Sequence, residues 1–370
     1  RPDFEAPDAP TSDISSTPSA RPAQTVAANA TAGTAQRFMP AQDIPAQWWQ
    51  VFHSPSLDRL IRAALAQNPN MASAQAALRV AQENYNAQSG ALLYPSVTGQ
   101  VGATRSLTPA FSTTAPPGTE LNLHNASVNV GYTFDVFGAA QRTLESLQAA
   151  IDYQRYQVEA IYLALTANVV TTAIKEASLR AQLQATGEVL GAQQKQLDVI
   201  EKQFNLGAIA QSTVLAQRTQ VAQTAASLPV LEKALAQTRH QLSVYAGQLP
   251  SQPGILEFQL DTLTLPADLP VSLPSALVRQ RPDIRANEAL LHEASAQIGV
   301  ATANQYPQFT LNAAYGSNSA TFGGLFGNGT TFWSIGATLL QPIFNAGSLS
   351  AKRRASVAAY DAAAAQYRAT

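Results

Sequence analysis

Residues 126–136, ASVNVGYTFDV, alternate without a break. Ala126, Val128, Val130, Tyr132, Phe134 and Val136 fall on one side, and Ser127, Asn129, Gly131, Thr133 and Asp135 on the other. That period of two describes a strand with one apolar and one polar face. After Gly138 the spacing turns helical, and no proline occurs from Ala139 to Phe204. The run predicts a helix of about 65 residues, ~100 Å at 1.5 Å per residue. Whatever the chain builds must use a two-sided strand that leads directly into a very long helix.

The remaining composition narrows the class. Formal net charge is -1, so the chain carries no electrostatic footprint for nucleic acid. Only 13% of its 370 residues are charged, against about 25% in a typical soluble domain. Ala, Gln, Ser and Thr stand in their place, which suits a surface buried in an assembly or lining a polar space. Cysteine is absent, so disulfides and thiolate metal sites are excluded. No run of about 18 apolar residues is read, so no transmembrane helix is expected. The opening RPDFEAPDAP reads as already processed.

Residues 1–43 are rich in Pro, Ala, Ser and Thr and are expected to be extended or disordered. A first structural repeat follows over 44–248. Ser56 is the expected N-cap of its first helix, which Asn68-Pro69 ends. A second helix runs to Tyr94-Pro95, where the period changes to two. Val97, Val101 and Ala103 then oppose Thr98, Gln100 and Thr104. This strand and the opening one form a β-hairpin over 96–136, joined by a long polar loop. Over 139–247 a long helical hairpin is expected, with its tip at 205–211 and a kink at Pro229. Ile151, Val158 and Leu165 are seven apart, as are Leu190, Leu197 and Phe204, the spacing of a left-handed supercoil. Residues 249–271 form a compact Pro-rich connector with one short strand.

The pattern then returns over 272–370. Pro282 answers Pro69 and Tyr306-Pro307 answers Tyr94-Pro95, at spacings of 213 and 212 residues. Phe344 takes the role of Phe137. A second β-hairpin spans 308–344, and a truncated long helix spans 347–370. This is an internal duplication with a period too long for a solenoid. By the repeat, the rest of that helix and its return would lie beyond residue 370.

Four alternating strands of about ten residues match tilted bilayer-spanning β-strands. Aromatic residues at their ends, Tyr94, Tyr132, Phe134, Phe137, Tyr306, Phe332, Trp333 and Phe344, suit interfacial girdles. Four strands cannot close a barrel, and an open edge is not viable in lipid. Two or more chains must therefore share one barrel, and three would give twelve strands. Val128, Val130, Tyr132, Phe134, Trp333, Ile335 and Leu339 are expected to face lipid. Asn129, Thr133 and Thr338 are expected to face the lumen.

WWQVFHSPSLDRLIRAALAQNP, YPSVTGQVGAT, YTFDVFGAAQR, FNLGAIAQSTVLAQ, RPDIRANEALL and QPIFNAGSL, in that order on the duplicated frame, resemble the outer-membrane factors. These are the TolC-like exit ducts of tripartite efflux pumps, and the resemblance is to their lipoprotein branch, as in RND-type pumps. It covers roughly residues 45–370. It implies an α+β membrane protein, a homotrimer whose strands form a twelve-stranded outer-membrane β-barrel. It further implies a periplasmic α-barrel of long antiparallel coiled-coil helices and a mixed equatorial domain. It implies passive conduction of small molecules from a periplasmic adaptor (a membrane fusion protein) and, indirectly, an inner-membrane transporter. The lipoprotein branch begins at an acylated Cys, which this numbering lacks. A duct of the same architecture for type I protein secretion is the alternative.

Leu206, Gly207, Ala208 and Ile209 form the turn of the helical hairpin. Apolar groups at such a tip suit an adaptor-docking surface. Val214 and Leu215 fit tip contacts and plain hairpin packing equally. His53, His124, His240 and His292 lie in different elements and read as solvated surface, so neither a metal nor a catalytic role is expected. GGLFGNGTT lacks the Lys-Ser/Thr end of a phosphate loop and reads as an extracellular hairpin loop. Lys352, Arg353 and Arg354 suit interfacial anchoring or pore lining. Ser, His and Asp in HSPSLD are explained by helix-start signals. No enzyme activity and no cofactor are expected. A soluble coiled-coil scaffold would have no use for strands with alternating faces and aromatic ends.

Overall fold

The computed structural model describes residues 4–7, 23–29, 33–40, 42, 44–109, 116, 118–252, 257–271 and 279–370. Parts of the N-terminal segment, of the polar hairpin loop and of the start of the second repeat lie outside these residues. The described chain forms β1 (Arg37–Pro40), α1 (Pro55–Gln67), α2 (Pro69–Leu93), β2 (Ser96–Leu107), β3 (Glu120–Phe134), α3 (Ala139–Asn205) and α4 (Gln211–Tyr245). It continues with β4 (Asp268–Val271), α5 (Pro282–Ala303), β5 (Gln308–Ser319), β6 (Thr331–Leu340) and α6 (Ser348–Ala369). Two compact units result. One takes Arg1–Asp8, Ala77–Tyr156 and Asp283–Thr370, and the other takes Ala9–Ala76 together with Gln157–Pro282, so the first draws on both repeats.

The first unit is built on one antiparallel sheet in the order β2-β3-β5-β6. The two predicted hairpins lie side by side through the β3–β5 pair, and β2 and β6 pair on one side only. α5, which leads into β5, buries Ile284, Ala286, Ala289, Leu291, Ala296 and Ile298. Gly299 leaves room for Arg142, whose Cγ would lie 2.8 Å from an added Cβ. His292 is not the solvated residue expected from sequence. Its Nε2 lies 2.9 Å from Glu145 Oε1 and its ring stacks on Phe4, with centroids 4.5 Å apart. Burial pushes the Glu145 carboxyl up, but hydrogen bonds from His292 and Arg142 outweigh this and hold it below its ordinary range.

The second unit has a continuous apolar core. Trp49, Leu57, Leu60, Ile61 and Ala64 meet Leu165, Val169, Val170, Ala173 and Ala177 of α3, with Leu242, Ala246 and Phe258. The N-cap of α1 is Ser54, not Ser56. Leu57 N–H donates to Ser54 Oγ at 3.3 Å, and Pro55 takes the first helical position, where its missing N–H costs nothing. Asn68 does end α1 and also starts α2. Its Oδ1 accepts from the Asn70 and Met71 amides, while Nδ2 donates to Tyr245 O at 3.0 Å. Glu176 is fully buried, which its partners make tolerable: it accepts from Phe258 N–H and pairs with Arg180, which reaches Glu257.

Other expectations need adjustment. The N-terminal segment holds a strand, because Arg37–Pro40 pairs in parallel with Asp268–Val271 and Arg37 Nε meets Asp268 Oδ1 at 2.8 Å. A partner more than 220 residues away leaves no local signal. An 18-residue window of α3 has a mean hydropathy of 1.2, long and apolar enough by composition to cross a membrane. Interspersed Thr and Asn break up the apolar runs of this helix, and its Leu165, Val169 and Val170 are core residues. The 67 residues of α3 match the expected length, and α4 continues through Pro229 as one helix. Phe137 stacks on Tyr306 at 4.8 Å, whereas Phe344 is 89% exposed. Gly347, at φ 79, matches the conformation of Gly138, at φ 78.

Gly207 and Gly247 share a left-handed backbone at φ 72 but not their surroundings. Nothing lies within 4 Å of a Cβ added at 207, while one at 247 would sit 2.3 Å from Gln67 O. Gly207→Ala is expected to cost about 1–2 kcal/mol for the backbone alone. Gly247→Ala is expected to cost more and to lower the thermal midpoint of the helical circular-dichroism signal further. Equal midpoints would mean that the contact with Gln67 is not held in solution.

Candidate functional site

Two features of the chain stand apart from packing: the two faces of the four-stranded sheet, and the tip between α3 and α4. Directly paired residues in a sheet share a face. Val128 pairs with Tyr315, which pairs with Trp333. Val130, Ala313 and Ile335 form the next row, then Tyr132, Leu311 and Ala337, then Phe134, Phe309 and Leu339. On the other side of β3, Val97 and Val130 pair, as do Val101 and Ala126. All seven residues expected to face lipid therefore lie on one face.

The opposite face carries mainly amides and hydroxyls, with Leu121, Leu123, Phe332 and Leu340 toward its ends. Thr133, Thr310 and Thr338 form one row, with the first two hydroxyls 3.3 Å apart. Asn129 donates to Ser127 Oγ, Ser127 Oγ–H to Asn125 Oδ1, and Asn125 to Asn318 Oδ1 at 2.8 Å. Asn129, Thr133 and Thr338, the residues expected to face the lumen, share this face. Among the described strand residues it holds no charged side chain. The charges lie at the far end of the other face, where Arg105 pairs with Glu120.

Sequence reasoning left β5 out of the apolar list, although QFTLNAAYGSNS alternates as clearly as the opening strand. Phe309, Leu311, Ala313 and Tyr315 complete the rows. Phe332, grouped with Trp333 as an aromatic end, pairs with Gly316 and so falls on the polar face. Adjacent residues in a strand must point opposite ways.

At the tip, the helix ends in a Schellman turn. Ala208 N–H donates to Gln203 O at 2.9 Å and Gly207 N–H to Phe204 O at 2.8 Å, with Gly207 in the left-handed region. Leu206 is 85% exposed, Gly207 and Ala208 are exposed and Ile209 is half-buried. Arg218 clasps Glu201 across the hairpin at 2.7 Å, and Gln217 donates to Gln193 O. The two readings of Val214 and Leu215 separate here. Val214 is 5% exposed and belongs to hairpin packing, while Leu215 is 53% exposed.

Among the described residues no group of three His, Asp or Glu side chains gathers to hold a metal. A cavity of about 620 Å³ beside α6 is lined by Lys352 and Ser356 with Gln297, Asn304 and Tyr306, without a carboxylate or imidazole to activate the hydroxyl.

An amphipathic sheet joined to long helices defines an outer-membrane channel. Residues 60–248 and 273–370 match the outer membrane efflux protein family, and the chain belongs to that family. The family is one of transport channels of the outer membrane. The chain is 31% identical over 323 residues to the pyoverdine export outer membrane protein OpmQ of Pseudomonas aeruginosa, covering 84% of this chain and 66% of that one. It is 29% identical over 357 residues to the antibiotic efflux pump outer membrane protein ArpC of Pseudomonas putida, covering 95% and 70%. The chain thus spans about two thirds of the length of these relatives. The fold is similar to that of the outer-membrane channel OprN, with a TM-score of 0.85 and 25% identity over 99% of this chain and 78% of that one.

Truncating Val214 should destabilise the hairpin, since removing two methyls costs about 1.5 kcal/mol at ~0.8 kcal/mol per buried carbon. Leu215→Ala should change stability by less than about 0.5 kcal/mol. Thermal melts of the two variants read this directly. A larger loss at 215 would show that the two side chains had been assigned to the wrong surfaces.

Proposed function

We propose that the chain is the outer-membrane exit duct of a tripartite efflux system. Three copies close a twelve-stranded barrel. The face bearing Val128, Val130, Tyr132, Phe134, Trp333, Ile335 and Leu339 meets lipid, and the face bearing Asn129, Thr133 and Thr338 lines the passage. The observation that carries this reading is the register itself. Four strands sort into one apolar and one neutral polar face, with β2 and β6 left open at the edges. The apolar face is left exposed at Val128, Trp333, Ile335 and Leu339, as lipid contact requires, and in lipid an open sheet is viable only where neighbouring copies complete its edges. The neutral amides and hydroxyls of the other face give water and small solutes hydrogen-bonding partners without trapping either sign of charge.

The long helices carry the passage on to the tip, where Leu206, Gly207, Ala208 and Ile209 dock a periplasmic adaptor. The adaptor joins an inner-membrane transporter that supplies the energy. The duct itself performs no chemistry and needs no cofactor, in keeping with a family of transport channels. OpmQ is named for pyoverdine export and ArpC for antibiotic efflux, and small organic molecules are the cargo class proposed here.

Docking at Leu206 gives the direct test. Covering that side chain fully is worth about 1.5–3 kcal/mol. In cells lacking the native protein, full-length Leu206→Asp is expected to reach the outer membrane at normal levels and to fail in drug export. Crosslinking from position 209 should trap the adaptor. Export at the wild-type rate with Leu206→Asp would remove the tip from the docking surface.

A further inference from the structure

The hairpin loop between β5 and β6 ends in an apolar rim that the barrel reading does not use. Ser317 lies on the apolar face of the sheet, paired with Ala126 and Thr331, yet it is only 2% exposed. The loop covers it. Phe326 N–H donates to Ser317 Oγ at 3.2 Å, and the Ser317 and Thr330 hydroxyls are 2.7 Å apart. Phe322 sits edge-on to His124 with centroids 6.1 Å apart, and His124 pairs with Ser319 on the same face. The loop thus folds over the apolar face, not over the polar one.

Its two phenylalanines nonetheless point away from protein. Phe322 is 71% exposed and Phe326 78%, next to Tyr315 at 64% and Trp333 at 73%. Phe326 also holds a left-handed backbone at φ 67, which a side chain disfavours. The conformation is kept by hydrogen bonds of the loop and presents the ring outward. Four exposed aromatic groups on one side of one rim are a large apolar surface for water to cover.

We infer that Phe322 and Phe326 form a membrane-interface anchor: the loop lies against the outer leaflet, with both rings at the boundary between headgroups and acyl chains. The inference rests on the proposed lipid-facing reading of the apolar face, with which this rim is continuous through Tyr315 and Trp333. The rim sits at the sheet end remote from the helices, since all four helices flanking the strands join them at the opposite end. Aromatic rings are favoured at such boundaries, and the Gly-rich backbone between them lets the loop bend flat.

These 370 residues hold no cysteine, and any free cysteine elsewhere in the full-length protein is first replaced by serine, so that single labels can be placed. Phe322→Cys, Phe326→Cys, Asn328→Cys and Ile335→Cys in the full-length protein would each carry a nitroxide in phosphatidylcholine vesicles. Collision rates with oxygen, which concentrates in lipid, and with a water-soluble nickel chelate report depth. The oxygen-to-nickel ratio at 322 and at 326 is expected to exceed that at 328 several-fold and to approach that at 335. If 322 and 326 match 328 while 335 reads lipid, the anchor is wrong and the barrel reading stands. Shielding of 322 and 326 from both reagents would place them against protein and would also overturn it. A water-like ratio at 335 would remove the lipid-facing reading and the anchor with it.

Discussion

A strand edge in hydrocarbon leaves N–H and C=O groups with no partner, and each such group costs several kcal/mol. The order β2-β3-β5-β6 gives this chain two such edges. Much of the structure follows from removing them. The strands must be near in length so that a neighbouring copy can pair along them, and 12, 15, 12 and 10 residues satisfy that. β2 and β6 run antiparallel to each other, so the β6 of one copy can meet the β2 of the next in the pairing sense used within the sheet. The internal duplication makes the same demand in sequence, because the β3–β5 pair already joins one repeat to the other.

The helices answer a related problem. Their low charge and abundant Ala and Gln leave long surfaces that are neither core nor strongly solvated. Ile151 and Leu165 are buried within the chain, while Leu190 and Leu197 are half-buried and Phe204 is exposed, although all hold heptad spacing. Heptad positions toward the tip therefore remain open to neighbours. The tip itself is set by backbone chemistry: Gly207 closes the turn and leaves Leu206 outside it.

Most of the sheet was legible because a period of two is unambiguous once it runs through ten residues. The faces of β3 and β6 could be written from Val128 to Phe134 and from Trp333 to Leu339. β5 carries the same signal in Phe309, Leu311, Ala313 and Tyr315. What sequence could not supply were contacts between distant segments. The pairing of Arg37–Pro40 with Asp268–Val271, the His292–Glu145 contact and the seat of Glu176 under Phe258 all depend on partners more than 80 residues away. Local rules misled at the start of α1, where Ser56 is the expected cap but Ser54 is the actual one, because Pro55 takes the first helical position. The outward turn of Phe326 has no sequence signal, since a phenylalanine at positive φ is the opposite of what its residue type favours.

Sharing of the barrel among copies is the claim on which the other assignments rest. Native mass spectrometry of the full-length protein, released from detergent micelles, counts the copies directly. Three chains per particle is the expected result, with no folded monomer surviving release. A monodisperse, folded monomer under the same conditions would contradict the account, because one copy alone cannot satisfy the edges of β2 and β6.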